Sequence, residues 1–246
     1  VSDTSMAVTL QNCRWKVKTV EHLLAALTTF GITDIYIEIN GEEVPIMDGS
    51  AQPFMEALTL AGKREFNQDV DPIVIRNPIW VVDNENDKYI VVLPSDEFKI
   101  SYTISFEHPM IQAQTKTLTL QSKTVKEEVL SARTFGFMSE VEKLHAQGLA
   151  LGGSEENAII FTENGILNPD LRYDDECIRH KILDFIGDLS LVGRPIQGHF
   201  LASRGGHGLD IDIARKIVET AENDEFQKKN NLPGFLAKEV HKAAAL

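Results

Sequence analysis

The run Arg179-His180-Lys181-Ile182-Leu183-Asp184-Phe185-Ile186-Gly187-Asp188-Leu189 spaces His180, Asp184 and Asp188 four residues apart, which on a helix sets all three on one side. An imidazole and a carboxylate one turn apart can share a divalent cation through bonds of roughly 2.0–2.2 Å. On its own, the same pair more often makes a helix-surface hydrogen bond or salt bridge. Cys177, one turn earlier, either adds a thiolate or packs as a small buried side chain. Glu21 and His22 are neighbours near the start of another helical pattern. Adjacent helix residues point about 100° apart, so one can bind a metal while the other faces a water beside it, as Lewis acid and general base must. The alternative makes Glu21 a solvated charge at a helix N-terminus and His22 a partly buried polar group. In Arg204-Gly205-Gly206-His207-Gly208 three glycines let backbone approach a ligand and leave the imidazole exposed. That suits a general acid or an oxyanion stabiliser, and equally a plain turn. Asp48-Gly49-Ser50 and Gly152-Gly153-Ser154 read as tight turns, since neither has the spacing of a nucleotide-phosphate loop.

Helices must carry these groups. Val20, Leu23, Leu24 and Leu27 repeat at helical spacing and Gly31 follows as a cap, predicting a helix over 19–30. Ile35, Ile37 and Ile39 alternate with polar neighbours, predicting a strand over 32–39, and a helix is expected over 53–60 with Ser50 or a neighbour as its cap. The polar stretch 63–71 reads as a linker. Beyond it, 73–82, 88–93, 99–106 and 115–120 are β-rich runs broken by Pro, Asn and Asp, as in an antiparallel meander. Helices are expected over 122–128, 139–147, 175–191 and 210–222, and strands over 158–161 and 195–202. Runs of strands followed by runs of helices argue for α+β layers. The expected domains are 1–66 and 72–242; Ala243-Ala244-Ala245-Leu246 reads as a cloning scar.

A chain of 246 residues with 43% hydrophobic content can bury a sizeable core, which excludes disorder. Its net charge of −13 argues against nucleic-acid binding while leaving room for a local phosphate pocket. Two cysteines cannot form a disulfide framework or a four-thiolate zinc site, and their scarcity suits a reducing, cytoplasmic setting. No apolar run reaches the roughly 18 residues of a membrane helix, so no stable membrane insertion is expected.

Six ordered segments together resemble the zinc-dependent UDP-3-O-acyl-N-acetylglucosamine deacetylase family of lipid A biosynthesis. They are Thr19-Val20-Glu21-His22-Leu23, Val44-Pro45-Ile46-Met47-Asp48-Gly49-Ser50-Ala51, Ser131-Ala132-Arg133-Thr134-Phe135-Gly136-Phe137-Met138, Leu151-Gly152-Gly153-Ser154, the stretch from Arg179 to Leu189, and Gly206-His207. The resemblance implies two α+β domains of similar layering, a sheet against helices in each, with the active site between them. It implies one catalytic Zn2+ held by His22, His180 and Asp184, Glu21 as general base, and a cationic His207 that stabilises the oxyanion and protonates the leaving amine. Asp188 would orient His207, and Thr134 would bind the oxyanion. Phe135 would pack near the nucleotide and Lys181 would meet a substrate phosphate. Met138, Val141, Ala150 and Ile160 would line a passage for the acyl chain, although a core reading explains the same four residues. The implied partner is a small molecule, a UDP-linked acylated glucosamine, and the chain is expected to be a monomer.

Family members carry further residues before the point where this chain starts, including early strands of the first domain, so that domain is expected to be N-terminally incomplete. Two alternatives follow: a zinc- and ligand-binding module without normal turnover, or a related zinc deacetylase of another acylated sugar. His199 is expected to be structural.

Overall fold

A computed structural model describes residues 1–141, 152–168 and 170–230. Two short strands, β1 (Leu10–Gln11) and β2 (Lys16–Val17), pair antiparallel and lead into helix α1 (Glu21–Phe30). Gly31 ends α1 in the left-handed region at φ 77°, its N–H returning to the Leu27 and Thr28 carbonyls, the expected glycine cap. Helix α2 (Gln52–Ala61) follows, with Pro53 in its first turn and Ser50 Oγ accepting the Gln52 N–H.

The expected strand over 32–39 does not form. The segment joins no ladder among the described residues, and Ile35, Tyr36, Ile37 and Ile39 are exposed. Alternation gives a strand one apolar face, but a strand also needs a partner for its backbone N–H and C=O groups. Residues 62–72 contain no helix or strand.

Strands β3 (Ile73–Val74), β4 (Ile79–Asp83), β5 (Lys88–Leu93), β6 (Phe98–Ser105) and β7 (Ala113–Thr119) come next, with Pro78 splitting the run expected over 73–82. Helix α3 (Ser122–Glu128) and the parallel pair β8 (Phe135–Phe137) and β9 (Ile159–Phe161) follow. Helix α4 (Glu176–Ser190), strand β10 (Ile196–Ser203) and helix α5 (His207–Asn230) complete the described elements.

The large sheet runs β4-β5-β10-β6-β7, with β3 beside the start of β10. It is not the simple meander expected: β10 enters between β5 and β6, antiparallel to the first and parallel to the second. Period-2 patterning specifies which face of a strand is buried and leaves its neighbours open. The inner face presents Ile90, Val92, Ile100, Tyr102 and Phe200, all fully buried. Against it pack α4 and α5, with Phe185 edge-on to Tyr102 (5.5 Å) and to Phe200 (5.4 Å). Ile182, Leu183, Phe185 and Ile186 of α4 are buried to 0–1% exposure, each favouring the fold by about 1.5–3 kcal/mol of transfer free energy. Such anchoring lets the other side of α4 carry buried ionisable groups. Helix α1 covers that other side and α2 packs on α1, giving an α+β arrangement of sheet, α4 and α5, then α1 and α2.

Candidate active site

The site forms where the first turn of α1 crosses α4. Both backbones approach closely because Gly187 has no side chain; a Cβ there would stand 2.1 Å from the Glu21 carbonyl oxygen. This brings His22 of α1 over His180 and Asp184 of α4. The two rings lie 5.0 Å apart at 88°, and Asp184 Oδ1 is 3.5 Å from His22 Nε2 and 3.3 Å from His180 Nε2. One ligand atom from each residue falls within 4.8 Å of the others, and all three residues are buried.

The donor set fits a divalent cation. His180 Nδ1 donates to the Ala132 carbonyl at 3.0 Å, which leaves Nε2 as a lone pair facing Asp184. Burial above all pushes His180 down to about 4, keeping the imidazole neutral. Burial opposes ionisation of Asp184, but His180 and Lys181 outweigh it and hold the carboxyl well below its usual range. Asp184 Oδ1 and His22 Nδ1 are buried without a hydrogen-bond partner among the described residues. Two imidazoles and a carboxylate with open acceptor capacity are what a three-ligand zinc site uses.

Glu21 opens α1 and is buried at 3% exposure. Its Oε2 accepts the Val8 N–H at 3.1 Å, and Oε1 lies 3.9 Å from His207 Nε2. Burial, chiefly, raises its pKa, partly offset by His207. A carboxylate that binds a proton more readily than usual is a better base near neutrality.

His207 differs from the expectation of an exposed loop imidazole. It is the first residue of α5, its side chain is 12% exposed, and Nδ1 is 2.7 Å from Asp188 Oδ2. Arg204, just before the glycines, takes the left-handed conformation at φ 55°, and the pairing with Asp188 draws the ring inward. Burial disfavours the cation, but the Asp188 hydrogen bond and charge prevail and raise His207 to about 9. The 3.9 Å between Glu21 and His207 is too long for a hydrogen bond and leaves a gap between a base and an acid.

Lys181 Nζ sits 2.8 Å from Asp184 Oδ2. Thr134 is half-buried, its N–H donating to the Gly49 carbonyl at 2.8 Å and its own carbonyl accepting the Ile159 N–H at 2.8 Å, so the Asp48-Gly49-Ser50 turn braces it. Phe135 begins β8 with its ring 6.3 Å from that of His180 and 5.6 Å from that of Phe106. Met138 and Val141, in the helical residues 138–141, and Ile160 on β9 are half-buried; Ala150 lies outside the described residues. Cys177 is buried with its thiol pushed up to about 12 by desolvation, and His199 Nε2 bonds Ser101 Oγ at 2.9 Å.

Two groups escaped sequence reasoning. Glu176, four residues before His180, accepts N–H groups from Arg133 and Arg172 and ties residues 131–134 to the first turn of α4. Its i,i+4 relation to His180 was a usable signal. Asp210, three residues after His207, is fully buried beside Asp188.

Residues 1–219 match the family model described as UDP-3-O-acyl N-acetylglycosamine deacetylase. A UDP-3-O-acyl-N-acetylglucosamine deacetylase of Leptospira biflexa is 50% identical over 245 residues, covering 98% of this chain and 80% of the relative. Proteins of the same name from Myxococcus xanthus and Syntrophotalea carbinolica are 50% and 44% identical, covering 89% and 90% of this chain and 69% and 72% of their own lengths.

Proposed function

This chain belongs to the UDP-3-O-acyl N-acetylglycosamine deacetylase family and is a deacetylase of the lipid A pathway, and we propose that His22, His180 and Asp184 hold one zinc ion at its active site. The observation that carries the reading is the pairing of this buried triplet with two proton-transfer groups, Glu21 and His207, that face each other across 3.9 Å.

Zinc, when bound, supplies Lewis acidity that lowers the pKa of water and polarises a carbonyl. Glu21 takes the proton of the attacking water, its raised pKa matching it to that task. The Thr134 hydroxyl and the His207 Nε2–H donate to the oxygen on which charge develops. His207 then passes its Nε2 proton to the departing amine, so water and acetamide leave as acetate and a protonated amine, with Glu21 holding the water's proton. Asp188 keeps His207 cationic and aims its Nε2 outward through the 2.7 Å bond at Nδ1. Lys181 and Phe135 meet the nucleotide end of the substrate, and Met138, Val141 and Ile160 line the path of its acyl chain. The described parts of the expected domains, 1–66 and 72–242, flank this site. The substrate is a UDP-linked sugar and the setting is the cytoplasm; among the described residues no helix is long and apolar enough to cross a membrane.

Metal content and acetate release measured on one preparation test this. Wild type should hold about one zinc per chain and turn over. Glu21→Ala and His207→Ala should keep zinc and lose roughly a hundredfold or more in rate. Zinc without turnover in wild type would instead indicate a binding module, and a normal rate in Glu21→Ala would remove the mechanism.

A further inference from the structure

Behind the Asp188–His207 pair lies a polar pocket in which Asp188 Oδ1, both Asp210 oxygens and the Tyr102 hydroxyl are buried with no hydrogen-bond partner among the described residues. Asp188, Asp210 and Tyr102 are each 0% exposed. Asp210 lies in the first turn of α5, its backbone N–H on the Gly206 carbonyl at 3.0 Å, and its carboxylate is within 4.8 Å of ligand atoms of both Asp188 and His207. Gly205 seals the pocket: a Cβ there would stand 2.6 Å from the Tyr102 hydroxyl and 3.2 Å from Asp210 Oδ1.

Donors and acceptors in this pocket do not balance if both carboxyls are ionised. An ionised carboxylate only accepts, and buried acceptors without donors are costly. Tyr102 offers one O–H. Lys181, the nearest side-chain cation on α4, is engaged by Asp184 at 2.8 Å, and the His207 Nδ1–H is taken by Asp188 Oδ2. One more proton is required, and two adjacent buried carboxyls are the place where a proton is retained.

We propose that Asp210 is a neutral carboxylic acid that donates its proton to Asp188 Oδ1 and so acts as a positioning residue that fixes the Asp188 carboxylate on His207. With Oδ1 occupied by a donor, Asp188 directs Oδ2 at His207 Nδ1 in a single orientation. The groups that face Asp210 are Asp184, Asp188 and Lys181 of α4, His207 of α5 and Tyr102 of β6. Burial first, then the Asp188 charge, push Asp210 well above the ordinary carboxyl range, while Lys181 and His207 pull the other way.

This inference rests on the reading of His207 as the acid, and the test separates the two. Zinc-loaded Asp210→Asn keeps a neutral side chain with a donor for Asp188, and should rescue kcat to within about threefold of wild type, whereas Asp210→Ala removes a hydrogen bond to a charged group and should lose about tenfold or more in kcat, with KM little changed. Independently of turnover, the infrared spectrum of wild type at neutral pH should contain the carbonyl stretch of a protonated carboxyl group that Asp210→Asn lacks. Asp210→Asn as impaired as Asp210→Ala, or no such band, would overturn the proposal. So would a second equivalent of zinc bound by wild type and lost in Asp210→Asn, since a cation would then occupy the place of the proton. Full activity in His207→Ala would overturn the reading of the acid instead, and the infrared band would still decide the protonation of Asp210.

Discussion

Gly187 and Glu21 meet backbone to backbone: a Cβ on Gly187 would lie 2.1 Å from the Glu21 carbonyl oxygen and 2.8 Å from its carbonyl carbon. The contact sets the separation of α1 and α4, and with it the reach of His22 to the two ligand candidates on α4. Gly187 lies inside a helix, where alanine is intrinsically better by about 1 kcal/mol. Forcing α1 outward costs about 1–3 kcal/mol and more where backbone is struck, so the clash prevails. Gly187→Ala should therefore lower unfolding free energy in denaturant and weaken zinc at least tenfold by competitive chelation. Unchanged zinc affinity would separate the helix crossing from the metal site.

The pH dependence of turnover follows from His207. Its cation is the active form, and Asp188 holds the ring near 9, so the rate should be flat through neutrality and fall as pH rises through about 9. Asp188→Asn removes the hydrogen-bonded charge that raises it most, leaving desolvation and Lys181 opposed by Asp184 alone. The alkaline limb should then move down to about 6.5 or below, the range of an unassisted imidazole. An alkaline limb that stays in place in Asp188→Asn would assign it to another group.

A third expectation concerns the acyl chain. Each methylene removed from water contributes about 0.8 kcal/mol, so about ten would supply about 8 kcal/mol before ordering losses. Even a fraction of that should separate acylated from unacylated UDP-sugar by orders of magnitude in kcat/KM. Ile160→Trp, at a half-buried position on β9, should penalise long chains more than short ones. Equal kcat/KM for the acylated and unacylated substrates would remove the passage.

The helical spacing of His180, Asp184 and Asp188 is visible in sequence because it is local, fixed by 3.6 residues per turn, and the structure sets all three on one side of α4. Spacing alone could not join His22 to them, since that depends on α1 crossing α4 over Gly187; the family resemblance supplied the link. Neither spacing nor resemblance indicated Asp210 and Tyr102, which meet only when β6 and the first turn of α5 close on each other. The segment 32–39 marks the converse limit, a correct alternation of Ile35, Ile37 and Ile39 without a paired strand. Strand order failed for a related reason: Phe200 and Ala202 announce a buried face, and nothing local announces that β10 will separate β5 from β6.

Glu176 is the last point at which local sequence controls the site. It accepts from Arg133 N (2.9 Å), Nε (3.0 Å) and Nη2 (3.2 Å), and from Arg172 N (2.7 Å). This clamp fixes residues 131–134, and so the Ala132 carbonyl that orients His180 and the Thr134 position next to it. Removing one partner of a buried pair costs about 3–5 kcal/mol, because the other charge is left uncompensated. Glu176→Gln should accordingly be destabilised by about that amount at neutral pH, and zinc should bind about 10–100-fold more weakly, the usual penalty for losing the support of a metal ligand. The sign with pH is fixed. Burial opposes the carboxylate, but the Arg133 hydrogen bonds and charge outweigh it and depress the Glu176 pKa in the folded chain. Its stabilisation is complete above the unfolded value of about 4.3 and is lost as pH falls through the lower folded value. The stability gap between wild type and Glu176→Gln, measured by denaturant unfolding in the absence of zinc, should therefore be wide at neutral pH and narrow steadily below about pH 4. A gap independent of pH would mean that the variant disturbs packing alone and that the ionised clamp does not hold the loop.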